Sequence, residues 1–417
     1  MSATGTGGEN PQLDTLNDIY IGRQPIYDRK MQVYGYELLF RGASDNRARF
    51  TDGDQATTDV IVNTFLEIGL DNIVGDHLAF INLTRAYFVG ERTISLPRHR
   101  VVLELLEDID ADDEVIEGVK RLVEQDYTIA LDDFIYHESL QPLVSLADMV
   151  KIDIMALDRA AVREHVRQLR RHPLRLLAEK VETQEDLDFC MELGFDYFQG
   201  YFFAQPKIIQ GRRPPGNRLT VLKLLGSLQN PDLTPEQLEN LIGRDPALNQ
   251  SVLRHVNSTT LAVPHRIESI RQAVAVVGSR DVKAWAILAA MSQVDNKPTE
   301  LVVTAMVRAK MAEGLATAMG AGQTDAFFTV GLFSALDALL DNSMEEILTQ
   351  LPLAEPVAAA LLHRRGLHGE ILDCVLAYER GRWQDLDCKH LDRRKIRDCY
   401  LDAVRWAKDT GEQLFET

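Results

Sequence analysis

VVLELLEDIDADDEVIEGVKRLVEQDYTIALDDF, residues 101 to 134, reads as strand, helix, strand. An apolar run ends in acids, an amphipathic stretch follows from Asp112 to Gln125, and a second apolar run ends at Asp132 and Asp133. Repeated strand-then-helix order means a parallel sheet covered on both faces. The same alternation extends from Ile19 to about Phe203, with further amphipathic stretches from Thr57 to Leu70 and from Ala160 to Arg171. About eight runs over roughly 190 residues suit a compact (β/α) barrel, whose chemistry sits at the C-terminal ends of its strands.

The polar residues of these runs stand at that end. They are Glu37 in YGYELLFR, Asn82 in HLAFINLT, Glu104 in VVLELLED, Asp132 and Asp133 in TIALDDF, Lys151 in MVKID, Glu179 and Glu182 in LLAEKVET, and Gln199 in YFQGYFF. One such acid is ordinarily a solvated loop residue, but a succession on seven runs is a pattern. Oxygen donors without a His or Cys cluster suit hard Mg²⁺ or Mn²⁺ rather than zinc. Two divalent ions held by shared carboxylates would activate a water and neutralise a phosphodiester. The pair Asp132 and Asp133 suits a bridging role, although taken alone it also fits a helix N-cap. Lys151 stands two residues before Asp153, and its cation would orient a water or offset phosphate charge. Arg41 can fork onto phosphate oxygens or form a rim ion pair. Gln199 fits a ligand or a partner for buried backbone groups.

A chain of 417 residues, 45% apolar, is long enough for two cores. The longest apolar stretch, near Ala284 to Met291, falls well short of the roughly 20 residues a membrane helix needs. The opening MSATGTGGENPQ is not a secretory signal and reads as a short leader, residues 1 to 18, without a fold of its own. A cytoplasmic protein is expected. Cys190, Cys374, Cys388 and Cys399 lie far apart without a CxxC, so free thiols are expected. A formal charge of −18 disfavours broad nucleic-acid binding; a small phosphate ligand remains compatible, because a metal inverts the local field.

The composition changes after Phe203. QPKIIQGRRPPGNR, residues 205 to 218, holds four basic residues, no acid and three prolines, which marks a connector. Beyond it helical spacing takes over. Thr234, Pro235 and Gln237 form a capping-box-like start, and helices are predicted at Pro246 to Val256, Ile267 to Val277, Asp281 to Met291, Leu301 to Met319, Phe327 to Leu340, Met344 to Leu351, Pro356 to Arg364 and Glu370 to Tyr378. Ile396, Cys399, Tyr400, Ala403 and Val404 make the stripe of a packed last helix. His255 and His265 read as hydrogen-bonded or exposed side chains rather than ligands. The aromatic set Tyr197, Phe198, Tyr201, Phe202 and Phe203 reads as core. The expected division is a barrel over 19–206, a linker over 207–218 and an all-helical domain over 219–417.

RQPIYDRKMQVYGYELLFR resembles the opening of the EAL domain, with Glu37-Leu38-Leu39 at its signature, and INLT, LELLE, LDDF, KID, AEKVET and FQGYFF match its later motifs in order. The resemblance implies a modified TIM (β/α)8 barrel that hydrolyses cyclic di-GMP to pGpG with two Mg²⁺ or Mn²⁺ ions, or binds it without turnover. Carried over by motif, the metal ligands would be Glu37, Asn82, Glu104, Asp132, Asp133, Glu179 and Gln199. Lys151 would assist the nucleophilic water, Glu182 would brace the loop after Asp133, and Arg41 would contact a phosphate. Two departures stand out. The family's Gly-rich loop after Asp133-Phe134 is here Ile135 to Ser139, and Lys180 stands where AEGVET has Gly. LIGRDPALNQSVLRHVNS, together with IESIRQAVAVVGSRDVKAWAILAAM, resembles the HDOD domain, with Ser334-Ala335 where an HD hydrolase has its His-Asp. That implies a non-catalytic regulatory module able to meet an unidentified protein partner. A homodimer, a nucleotide receptor and a scaffold remain open alternatives.

Overall fold

Eight strands close into a barrel in chain order: β1 Tyr20–Asp28, β2 Val33–Arg41, β3 Leu78–Leu83, β4 Val101–Leu105, β5 Thr128–Leu131, β6 Met149–Asp153, β7 Arg175–Glu179 and β8 Tyr197–Gln199. The computed structural model describes residues 20–41, 69–135, 137–202, 216–230, 232–258, 265–295, 297–386, 388 and 391–415. The leader, most of the amphipathic stretch Thr57 to Leu70, the linker up to 215 and Phe203 lie outside the described residues, as does the Arg41 side chain.

Strands β2 to β8 are parallel to their neighbours in sequence, as the alternation predicts. Strand β1 differs, running antiparallel to both β2 and β8. The cause is local. Asp28 Oδ1 accepts from the backbone N–H groups of Lys30 and Gln32, and Met31 takes φ +61°, so the chain reverses in a tight turn. A parallel return would need a crossover of a dozen or more residues.

Both faces of a barrel strand are buried, which is why a run such as VVLEL reads as nearly continuous hydrophobicity. Outward-facing Val101, Leu103 and Leu105 join the large outer core, whereas inward-facing Val102 joins a separate inner cluster with Ile26, Phe80, Ala130, Met149, Leu177 and Tyr197. Gly35 leaves room for that filling, since a Cβ there would stand 2.8 Å from the Phe80 ring. The barrel helices are α1 Leu70–Val74, α2 Arg85–Phe88, α3 Asp113–Glu124, α4 Gln141–Leu146, α5 Arg159–Leu169 and α6 Gln184–Leu193. Asp112, Asp158 and Thr183 cap α3, α5 and α6 by accepting from first-turn N–H groups.

The second half is helical: α7 Gly216–Leu228, α8 Pro235–Ile242, α9 Pro246–Val256, α10 Ile270–Val277, α11 Ser279–Ser292, α12 Thr299–Ala318, α13 Asp325–Phe333, α14 Leu336–Leu340, α15 Met344–Leu348, α16 Glu355–His363, α17 Gly366–Glu379 and α18 Arg393–Phe415. The capping box of Thr234 and Gln237 forms at the start of α8. Asn257 ties Ile267 back to the end of α9, donating to the Leu253 and Ile267 carbonyls and accepting from the Ile267 N–H. The single helix predicted from Phe327 to Leu340 is two, α13 and α14, broken at Ser334 and Ala335. Arg308 from α12 donates there to Ser334 Oγ (3.2 Å) and forks onto Glu379 (2.6 and 2.7 Å). No helix among the described residues is long and apolar enough to cross a membrane.

Two sequence expectations change. Cys374 and Cys388 form a disulfide, leaving Cys190 and Cys399 as buried thiols. The spacing concealed this pair because α17 and the turn at Trp383 fold back, bringing their Cα atoms to 6.0 Å. The two halves also share a core. Because no crossover helix separates β1 from β2, the outer face of β1 needs another cover, and α12, α17 and α18 supply it. Tyr20, Ile21 and Leu38 belong to one cluster with Met311, Leu315, Tyr378, Tyr400 and Val404. Trp383 stacks on Tyr20 with ring centroids 5.1 Å apart, and Tyr378 Oη donates to the Ile21 carbonyl (2.9 Å).

His255 is 4% exposed, against the edge of Trp285, and burial pushes its imidazole down to about 4. An unfolded histidine titrates near 6.5, so between these values the unfolded chain binds more protons than the folded one. Stability is therefore lost as pH falls from about 6.5 toward 4, by on the order of 3 kcal/mol. A His255→Gln protein should lose less stability than wild type between pH 7 and pH 4.5 in parallel urea unfolding curves. Equal losses would refute the assignment.

Candidate metal centre

The inner face of the barrel changes character within one pleat. Two residues beyond the inner apolar cluster, the parallel strands present Asn82 after Phe80, Glu104 after Val102, Asp132 after Ala130, Lys151 after Met149, Glu179 after Leu177 and Gln199 after Tyr197. A two-residue step keeps each side chain on the inner face. Strand β2 adds Glu37, and β1 adds Gln24, two residues before Ile26 because it runs the other way. Every strand thus contributes one polar side chain to a single ring.

Lys151 occupies the centre of the ring, with 0% exposure. Its Nζ lies 2.6 Å from Asp132 Oδ1, 2.7 Å from Glu104 Oε1, 3.0 Å from Glu179 Oε1 and 3.6 Å from Glu37 Oε2. Burial opposes its charge, but Glu104, Glu179, Glu37 and Asp132 outweigh burial and hold the ammonium above the ordinary lysine range. Burial pushes Glu104 far up, with Lys151 pulling it partly back. It likewise pushes Glu179 up to about 8, Lys151 opposing and Asp132 and Glu37 adding to the shift. With its four carboxylates ionised, the ring would carry more negative charge than one ammonium neutralises.

The amides sharpen this reading. Asn82 Nδ2 donates to Glu37 Oε1 (3.1 Å), while Gln199 Nε2 donates to Glu37 Oε2 (2.5 Å) and to Gln24 Oε1 (3.1 Å). Both NH₂ groups are thereby committed, which leaves Asn82 Oδ1 and Gln199 Oε1 buried without a hydrogen bond, together with Glu104 Oε2 and Glu179 Oε2. Buried oxygens left bare are costly and match the donor set of a hard cation. Oxygens of Glu37, Glu104 and Asp132 lie within 4.8 Å of one another, so one ion could touch all three. The donor set fits a divalent metal.

Asp133 stands at the rim, half-buried, with φ +42°. Burial and then the Asp132 charge raise its carboxyl. No α-helix begins at this pair among the described residues; the next, α4, starts at Gln141. Lys180 is also left-handed, with φ +54°, and ion-pairs with Asp153. That conformation costs a side-chain-bearing residue roughly 1–2 kcal/mol, a cost glycine would avoid. Gly200 follows Gln199 at φ +150°, where a Cβ would stand 2.0 Å from the Val181 carbonyl oxygen. Glu182 is exposed, without a described partner, and does not join the ring. Ile135 is 58% exposed beside a cleft of about 270 Å³ reaching Asp132, Asp133, Leu106 and Phe134. Tyr197, Phe198 and Phe202 are buried, as core aromatics should be. Gln24 lies outside the run YGYELLFR, the one stretch of this region that the sequence marks as ending in a polar residue; the signal for it is the Asp28 to Gln32 turn, which makes the region a hairpin.

Residues 15–206 match the EAL domain and residues 217–354 match the HDOD domain. Cyclic di-GMP phosphodiesterase CdgJ of Vibrio cholerae serotype O1 is 35% identical over 417 residues, covering 97% of this chain and 96% of that protein. Uncharacterized protein YuxH of Bacillus subtilis strain 168 is 33% identical over 399 residues, covering 93% and 98%. An EAL domain protein of Listeria monocytogenes aligns in structure at 21% identity with a TM-score of 0.37, over 48% of this chain and 94% of that one. The chain belongs to the EAL family and carries an HDOD domain behind its barrel.

Proposed function

We propose that this protein is a cyclic di-GMP phosphodiesterase that uses two divalent ions, Mg²⁺ or Mn²⁺, to open the cyclic dinucleotide to linear pGpG. The observation that carries this is the ring of bare, buried oxygens around Lys151. The full-length likeness to a relative named as such an enzyme supports the substrate. Glu37, Asn82, Glu104, Asp132, Asp133, Glu179 and Gln199 would hold the ions. With Glu37, Glu104, Asp132 and Glu179 ionised, the one ammonium among them would leave negative charge over, which divalent ions would balance. When bound, the ions supply charge neutralisation at the phosphate and a more acidic water.

The side chains divide the remaining work. Lys151 keeps its proton, so it acts as a donor that orients the attacking water rather than as the base. The water oxygen bonds to phosphorus as a phosphorus–ester oxygen bond breaks in line; a carboxylate of the ring receives the water's proton, and a proton passed on to the departing ester oxygen releases it as a hydroxyl. Arg41, at the end of β2, would meet a ligand phosphate, and Glu182 would act outside the ring on the loop after Asp133.

A receptor reading draws on one observation. Lys180 sets a fixed cation among Asp153, Asp133 and Glu179, which works against a second metal ion. The deciding experiment incubates the full chain with cyclic di-GMP and Mn²⁺ and follows pGpG by chromatography, with nucleotide thermal shifts in parallel. Product that disappears with EDTA is expected. A nucleotide-dependent shift without product would make the protein a receptor.

A further inference from the structure

The three strands that carry Gln24, Glu37 and Gln199 are also strands whose ends meet the helical half. Beside Gln24, the Arg23 backbone N–H donates to Tyr400 Oη (3.3 Å). Beside Glu37, Tyr36 Oη donates to Glu300 Oε2 (3.0 Å). Two residues past Gln199, Tyr201 Oη donates to the Glu379 carbonyl (3.5 Å). Successive strand residues point to opposite faces, so on β2 the inward Glu37 serves the ring while its neighbour Tyr36 is held from outside.

The contact at Tyr36 is the most demanding of the three. Its ring lies under the Arg23 guanidinium, 4.2 Å from the centroid, and Arg23 in turn donates to the Ile73 carbonyl. Glu300 is buried, and the hydroxyl it accepts belongs to the residue bonded directly to Glu37. Any displacement of Tyr36 is passed along the strand to Glu37, and through Glu37 to the amides of Asn82 and Gln199. Mg²⁺ and similar ions require near-ideal ligand placement, so small displacements there change affinity. A cavity of about 60 Å³ lined by Arg23, Pro25, Tyr36, Tyr201, Glu300 and Leu301 gives this contact room to shift.

We propose that Glu300 of helix α12 is a positioning residue for the metal centre, setting through Tyr36 the strand position from which Glu37 presents its carboxylate. A movement of α12 would then change metal affinity, and metal binding would favour one setting of α12 in return. This rests on the reading of the ring as a metal centre.

The test uses the full chain and Mn²⁺ alone, titrated by electron paramagnetic resonance, with thermal unfolding in EDTA as the check on folding. Wild type should bind Mn²⁺. Glu300→Ala and Tyr36→Phe should each weaken binding roughly tenfold, the scale set by outer-shell partners. The double variant should be no weaker than either alone, and Glu300→Gln, which keeps an acceptor oxygen, should stay within about twofold of wild type by the same reasoning. Tyr36→Phe removes one hydroxyl, so it tests the idea even if Glu300→Ala folds poorly. Wild-type affinity in both single variants would overturn the proposal while leaving the metal centre intact. A Glu300→Gln protein as weak as Glu300→Ala would assign the effect to charge rather than to this hydrogen bond, and would also overturn it. Failure of wild type to bind Mn²⁺ would remove the metal-centre reading itself.

Discussion

Replacing Lys151 by methionine is expected to make the barrel's stability depend on divalent metal. The substitution keeps an unbranched stem of similar length and deletes the one ammonium that lies within 4 Å of four carboxylates. Removing one partner of a buried ionic cluster costs about 3–5 kcal/mol, a large share of the roughly 5–15 kcal/mol by which a folded protein is stable. In a barrel of this size that is a fall in melting temperature of roughly 10 °C. The proposed ions supply positive charge in the same ring, so millimolar Mn²⁺ should recover part of the loss. Melting curves of the two proteins in EDTA and in Mn²⁺ measure both effects. A variant within about two degrees of wild type in EDTA would show that protonated carboxylates suffice without Lys151.

The second large effect is on turnover. Glu37→Ala should lower pGpG formation by about a thousandfold or more, equivalent to roughly 4 kcal/mol at the transition state. Two consequences act together, since the variant loses a carboxylate and releases the amides of Asn82 and Gln199 that Glu37 orients. The fold should survive, because Lys151 keeps Glu104, Asp132 and Glu179 as partners. Single-turnover assays at saturating Mn²⁺ would separate this loss from weaker metal binding. Turnover within about tenfold of wild type would remove Glu37 from the catalytic site.

These expectations rest on a site that was largely visible in the primary structure, for a reason specific to barrels. A strand buried on both faces is apolar throughout, so an acid or amide inside the run, as at Glu104 in VVLEL, stands out and marks the strand end. Glu37, Asn82, Glu104, Asp132, Lys151, Glu179 and Gln199 were all identifiable in this way. The helix start at Thr234 was legible because capping is a matter of a few consecutive residues. Glu182 was named with the ring because it shares a motif with Glu179, yet three residues beyond a strand end the chain has already turned outward.

Local patterning, with its period of two or 3.6 residues, was enough to specify the barrel class, the order of its strands and the polar identity of the ring. Contacts between residues far apart in the chain specified the rest. The antiparallel entry of β1 brings Gln24 into the ring, Cys374 meets Cys388 where α17 folds back, and Glu300 meets Tyr36 across a separation of 264 positions. No period in the sequence encodes such meetings. They arise from the need to cover the outer face of a strand that its own hairpin leaves without a helix, and that need exists only once the barrel has closed.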